Sequence, residues 1–168
     1  KKIFLEDSRY YVEEVRKDII EQLGYNKVYK EGLNIKTPLN LKLQEIASSA
    51  LRDGIEAYDK RKGWRGPIQN IDLSNQNWKK SIKNNLEKKI GWEIAKVLKI
   101  DYSGIEIETE NNKVGKINQN SIDWIKPKEN GKKFRIGDLI YVKQTFNSFY
   151  DVKQLPSVNG AIVVMDPY

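Results

Sequence analysis

Hydroxyl chemistry is the first possibility to test, because serines stand at positions 8, 48, 49, 74, 81, 103, 121, 148 and 157. A serine nucleophile needs a base beside it, and in an SxxK pattern one helical turn would put a lysine next to the hydroxyl. No serine here has a lysine three residues on. The triplet Ser157-Val158-Asn159 fits an SxN pattern, which arises by chance too often to carry weight alone. Histidine is absent, which removes the commonest general base, the usual neutral metal ligand and every Ser/His triad. Cysteine is absent too, so thiolate nucleophiles, disulfides and zinc-thiolate sites are excluded.

Carboxylates are the next candidates. Glu106, Glu108 and Glu110 alternate along one stretch, which puts them on one face of a strand where they could hold a hard cation. The plainer expectation is a solvated face whose reverse side, Ile105, Ile107 and Thr109, points inward. No phosphate loop, dinucleotide fingerprint or EF-hand spacing occurs, so no catalytic residue, cofactor or metal is expected. The rings of Trp92, Trp124, Tyr141, Phe146, Phe149 and Tyr150 lie among lysines, the mixture a single-strand nucleic-acid barrel would use. Against that, large aromatics in small domains mostly fill cores, and Lys132, Lys133 and Arg135 read as a solvated hairpin.

The elements that would position these groups follow from periodicity. Val12, Val15, Ile19 and Leu23 form one apolar face and predict a helix over 8–23, opened by Asp7 or Ser8 and ended by Gly24. Residues 33–37 alternate like a short strand that Pro38 stops. Asn40 can cap a second helix to about residue 61, whose Gly54 suggests close packing against a neighbour. A third helix is expected over 74–89 from Trp78, Ile82 and Leu86.

From Trp92 the pattern changes to short strands: WEIAKVLKI, GIEIET, Val114 to Ile117, SIDWI, FRIGDLIYVKQ and FYDVKQL. So few residues suit a small barrel better than a sandwich, and GDLIYV fits the OB type. The fold class is therefore α+β: a helical and β linker with an inserted OB-like β-barrel. The isolated strands 33–37 and 160–165 are expected to pair, because neither is stable alone.

Thirty basic and 23 acidic side chains give a net charge of +7, spread along the chain, so an anionic partner is allowed and not required. No apolar run approaches the roughly 20 residues that span a bilayer. The chain opens on Lys1 and holds a single methionine, Met165, and is expected to be a piece of something longer.

The ends carry a more specific signal. SRYYVEEVRKDIIEQLG, GLNIKTPLNLKLQEIASSAL, EAYDKRKGWRGP and VKQLPSVNGAIVVMDP follow one another in this order. Together they resemble the region between the two catalytic domains of class A penicillin-binding proteins of the 1A type. The residues that carry the resemblance are Tyr11, Val12 and Arg16, then Gly32, Leu33, Ile35 and Thr37, then Gln44. They continue with Arg61, Gly63, Trp64, Arg65, Gly66 and Pro67, and end with Gln154, Pro156, Val158, Gly160, Ala161, Val163, Asp166 and Pro167. Within the barrel, Trp124 and the pair Gly137-Asp138 fall where that family has a tryptophan and a GD turn. Pro38 departs from a frequent threonine, and Asn40 replaces aspartate while keeping a helix cap.

The resemblance implies a membrane-anchored parent on the periplasmic side of the bacterial inner membrane, with a glycosyltransferase and a serine transpeptidase. This soluble piece would be their non-catalytic linker and OB-like module, with scaffold 1–66 and 155–168 and barrel 67–154 including one leading helix. Its implied partners are the adjoining domains of the same chain and cell-wall regulatory proteins, without nucleic acid and without membrane insertion. An OB-fold single-stranded nucleic-acid-binding module is the alternative that the rings and lysines leave open. The transpeptidase serine and lysine of such a parent would lie beyond Tyr168 and the polymerase glutamates before Lys1. Labelled penicillin incubated with this chain should therefore leave no covalent band on a denaturing gel, and a stoichiometric adduct would overturn the reading.

Overall fold

The computed structural model describes residues 8–75, 77–82, 90–126 and 133–165, the side chain of Ser81 excepted. The chain divides into two compact units, residues 1–54 with 160–168 and residues 55–159.

In the first unit, α1 (Arg9–Leu23) follows Ser8 at its N-cap and ends at Gly24, whose φ is 80°. Helix α2 (Tyr25–Lys30) follows directly, and Arg16 on α1 donates to both Glu13 oxygens at 2.6 and 2.8 Å and to the Tyr29 hydroxyl at 3.0 Å. Helix α3 spans Leu41–Lys62. Asn40 caps it, its Oδ1 accepting from the backbone N–H of Lys42 at 3.1 Å and of Leu43 at 3.2 Å.

Two expectations fail here. Residues 33–37 and 160–165 form no strand and do not pair with each other. An apolar pattern marks which side chains can be buried, but a strand also needs a ladder partner, and neither stretch finds one among the described residues. Val163, Val164 and Met165 are accordingly left 77, 75 and 81% exposed. Gly54 also lacks the close neighbour expected of it, since a Cβ built there meets nothing within 4 Å.

The second unit is built on one sheet. Its strands are β1 (Gln69–Asn70), β2 (Trp92–Asp101), β3 (Gly104–Thr109), β4 (Val114–Ile117), β5 (Asp138–Gln144) and β6 (Phe149–Lys153). They lie in the order β1-β5-β2-β3-β4-β6, and β5 also pairs with β6, so the five longer strands close a ring. Every pairing is antiparallel except β4 with β6, where Lys116 faces Phe149 and Ile117 faces Tyr150. A register shift between Val97 and Lys99 marks a bulge in β2, the local twist that helps a long strand curl into a barrel. This closed Greek-key ring is the OB arrangement.

The expected strand at 121–125 is instead a 3-10 turn over Gln119–Ile122 and a bend after it. Local bonds take its backbone groups: Asn118 Oδ1 accepts from Asn120 N at 3.3 Å, Ser121 Oγ donates to Asn118 O at 2.8 Å, and Trp124 Nε1 donates to Ser121 O at 2.7 Å. Such side-chain bonds offer the chain an alternative to a ladder. Likewise, β5 starts only at Asp138, because residues 135–138 are a turn. Of the expected third helix, α4 (Trp78–Ser81) is seen, while residues 83–89 lie outside the described residues.

Strands β2 and β5 are buried on both faces. Ala95, Val97, Ile140 and Val142 point into the barrel with Ile105, Ile107, Ile117, Tyr150 and Val152. Ile94 and Leu139 point the other way, beneath Trp78 of α4. Each buried aliphatic side chain contributes about 2 kcal/mol of transfer free energy, so the two-sided strands anchor the unit.

The outgoing chain approaches β5 most closely at Gly137, whose carbonyl accepts from Ile71 N at 2.9 Å. Gly137 has φ +84°, and a Cβ there would lie 2.0 Å from the Ile71 carbonyl oxygen. Gly137→Ala should therefore destabilise the fold by about 3 kcal/mol through strain and collision. Gly54→Ala, in open helical space, should stabilise it by about 1 kcal/mol. Urea midpoints of the two variants, shifted in opposite directions, check both.

Candidate functional site

The last turns of α3 carry one buried carboxylate. Asp59 is 1% exposed and is the buried residue of that helix. An ionised side chain at such a position needs several donors around it. Arg65 supplies two, Nη1 donating to Oδ1 at 2.8 Å and Nη2 to Oδ2 at 3.0 Å. The others come from the far end of the unit: Gln154 Nε2 donates to Oδ2 at 2.7 Å, and Ser157 donates to Oδ1 through its N–H at 3.1 Å and its Oγ at 3.4 Å.

The partners are themselves cross-tied. Arg65 N–H donates to Gln154 Oε1 at 2.8 Å, 89 residues along the chain, and Arg65 Nη2 also donates to the Leu155 carbonyl. Gln154 Nε2 reaches the Gly63 carbonyl at 3.1 Å. One turn earlier in α3, Glu56 accepts from Lys153 Nζ at 2.7 Å. Both legs of the barrel, the exit through Gly63 to Pro67 and the return through Lys153 to Ser157, are thus gathered at a single helix end.

Gly63 and Gly66, at φ 97° and 111°, give the exit its bend. Between them the chain sends successive side chains in opposite directions. Arg65 turns back to Asp59, while Trp64 packs edge-on against Trp124 at 5.5 Å and Phe134 at 5.8 Å on the barrel core. Trp64 Nε1 is buried without a hydrogen-bond partner, so its ring contributes through packing.

Burial alone would raise the Asp59 pKa, but the donors from Arg65, Gln154 and Ser157 outweigh it and lower the group from 3.8 to about 2. The site therefore holds a fixed negative charge, fully neutralised from within. At neutral pH Asp59 is ionised and acts as an acceptor.

The other singled-out residues distribute as follows. Gly137 and Asp138 form the expected turn, and the buried Asp138 accepts from Arg135 N at 2.8 Å and from Asn70 Nδ2 at 2.8 Å, tying β1 to β5. Gly32 lies just after α2, Gln44 in the first turns of α3, and Gly160 in the irregular stretch of the first unit. Arg61 stacks over Tyr58 at 5.7 Å on the solvated last turn. Pro67 continues the exit leg, Pro156 sits between the residues of the return that reach Asp59 and Arg65, and Asp166 and Pro167 lie outside the described residues.

The glutamate row is no cation site among the described residues. Glu108 meets Lys79 at 2.5 Å and Lys96 at 3.5 Å, and the Lys79 bond holds its carboxyl below the usual range. Glu110 Oε1 accepts from Ile94 N at 3.2 Å. Ile105, Ile107 and Thr109 point inward, as the alternation predicts. Phe146 and Phe149 are 72 and 48% exposed. The outer face of β3 and β4 joins Glu106 and Glu108 to Val114 and Lys116, and its carboxylates would repel a phosphate backbone. Asp59 was not legible as a hub, since a carboxylate in a helix's last turns reads as solvated; its place six residues before an arginine was the available sign.

A barrel of this topology, entered and left through one tied joint, defines a module of the OB class. The model of the penicillin-binding protein OB-like domain family matches residues 64–158, and the chain belongs to that family. The matched span takes in Arg65, Gln154 and Ser157. Penicillin-binding protein 1A of Rickettsia bellii is 34% identical over 163 residues, covering 94% of this chain and 20% of that protein. Penicillin-binding protein 1A of Pseudomonas aeruginosa is 27% identical over 171 residues, with 94 and 20% covered. The crystal structure of penicillin-binding protein 1A from Haemophilus influenzae shares the fold, with a TM-score of 0.63 at 23% identity over 94% of this chain and 23% of that one. The chain spans about one fifth of the length of the curated relatives it matches.

Removing the Asp59 carboxylate strands a guanidinium, an amide and a backbone N–H, so Asp59→Ala should cost about 3 kcal/mol or more. Because the folded pKa lies below the unfolded one, the stabilisation of the ionised form is present above about pH 4 and is lost as pH falls towards 2, a change of about 2 kcal/mol. Denaturant titrations of native chain and Asp59→Asn between pH 6 and 2 should converge as the pH drops. A constant difference across that window would rule out the charge as the source.

Proposed function

We propose that this chain is the non-catalytic joint and OB-like module of a bifunctional penicillin-binding protein, on the periplasmic side of the inner membrane. There it fixes the placement of the glycosyltransferase and transpeptidase domains and offers a surface to cell-wall regulatory proteins. The scaffold comprises residues 1–66 and 155–168, and the barrel with its leading helix comprises 67–154. The observation that carries the reading is the Asp59 clamp, which returns the chain to the point where it left. A barrel inserted that way adds surface without separating the segments on either side.

Family membership and the relatives' names support the parent's identity, and no helix among the described residues is long and apolar enough to cross a membrane. The donors at the clamp are all engaged within the chain, which suits a mechanical role.

Since Arg65 N–H lies 2.8 Å from the Gln154 side chain, the barrel can be removed in the full parent by bridging Pro67 to Lys153 with a short Gly-Ser linker. The shortened parent should still bind labelled penicillin while the number of cross-links per polymerised strand changes. Loss of penicillin binding together with polymerisation would sink the modular reading.

A further inference from the structure

At the end of the barrel that carries the β2–β3 hairpin lies a groove of roughly 550 Å³. Its floor is Ile105, Ile122 and Phe134, each at most 5% exposed, so it is formed by the barrel core itself. Its rim is apolar and cationic. Ile100 and Ile136 are 41 and 49% exposed, and Lys133 and Arg135 stand beside them.

The charges at this rim are not equivalent. Lys133 Nζ donates to the Ile122 carbonyl at 2.7 Å, which fixes the ammonium on the groove wall with donors to spare. Arg135 gives its backbone N–H to Asp138, but its guanidinium has no partner among the described residues. The acidic residue of the lining, Asp101, is already occupied by Lys99 Nζ at 2.6 Å and by Ser103 N and Oγ at 2.8 and 2.6 Å. The groove therefore presents net positive charge above a preformed apolar floor.

We propose that this groove docks an extended peptide segment of a partner protein, in which an aliphatic or aromatic side chain fills the floor and an adjacent carboxylate meets Arg135. Apolar floors with a few convergent polar groups are what small recognition sites share, and a guanidinium fork suits a carboxylate. A nucleic acid fits less well. Stacking needs open ring faces, whereas Phe134 is buried, and the neighbouring outer face of β3 carries Glu106 and Glu108. The proposal deepens the partner-docking part of the function above and rests on that part alone. The barrel-deletion experiment in the parent can fail or succeed independently of it.

Selection of a random nonapeptide phage library on the whole chain tests it. Enriched sequences should hold Asp or Glu next to Leu, Ile, Val or Phe. The synthesised peptides should bind Arg135→Glu and Ile136→Ser about tenfold or more weakly than the native chain. Lys143→Glu, at the far end of β5, should leave binding unchanged, and circular dichroism melts show whether the variants stay folded. No enrichment, enrichment without acidic residues, or undiminished binding by folded Arg135→Glu would overturn the proposal. Labelled oligothymidylate whose binding is lost in Arg135→Glu would assign the groove to nucleic acid instead.

Discussion

The second unit depends on one carboxylate taken out of water. Asp59 is worth burying only because five donor groups meet it, and those donors come from opposite ends of the unit. Bringing segments 89 residues apart to one point costs about 4 kcal/mol of loop-closure entropy if nothing else orders the chain. Barrel closure meets most of that cost, and the clamp then fixes where the two ends emerge. Lysine could not replace Arg65, because a point charge lacks the planar fork that spans both carboxylate oxygens while a third N–H holds the Leu155 carbonyl.

The middle strands of the barrel in turn are covered on both faces. Ile94 and Leu139 would face water in a bare barrel, and Trp78 covers them. The same ring lies under Lys79 and Lys96, whose ammonium groups sit 5.4 and 5.7 Å from its centroid and converge on Glu108. A glutamate that reads as solvent-facing is thus part of a charge-compensated lid. It also makes this side of the barrel a poor track for phosphates, which removes the main physical support for a nucleic-acid module.

What was legible in the sequence was whatever periodicity alone determines. The helices α1 and α3, the Asn40 cap, the inward row of Ile105, Ile107 and Thr109, and the turn at Gly137 and Asp138 all follow from local pattern and chemistry. What was not legible was choice of partner. Residues 33–37 alternate and residues 160–165 run apolar like strands, but neither meets an edge among the described residues, and SIDWI gives its backbone to Asn118 and Ser121 before any strand can claim it. Asp59 failed to stand out for the same reason, since Gln154 and Ser157 lie at the other end of the unit.

The stretch KRKGWRGP looks like a basic, aromatic ligand loop, and its geometry explains why it is not one. A ligand loop needs its cation and ring free on the same side. Here Gly63 and Gly66 turn the backbone so that consecutive side chains diverge, Arg65 into an internal carboxylate and Trp64 onto the Trp124 and Phe134 rings. The two side chains best suited to recognition are both engaged within the fold. What they recognise is the rest of their own chain, and the open cation falls instead to Arg135, beside an apolar floor that is already formed.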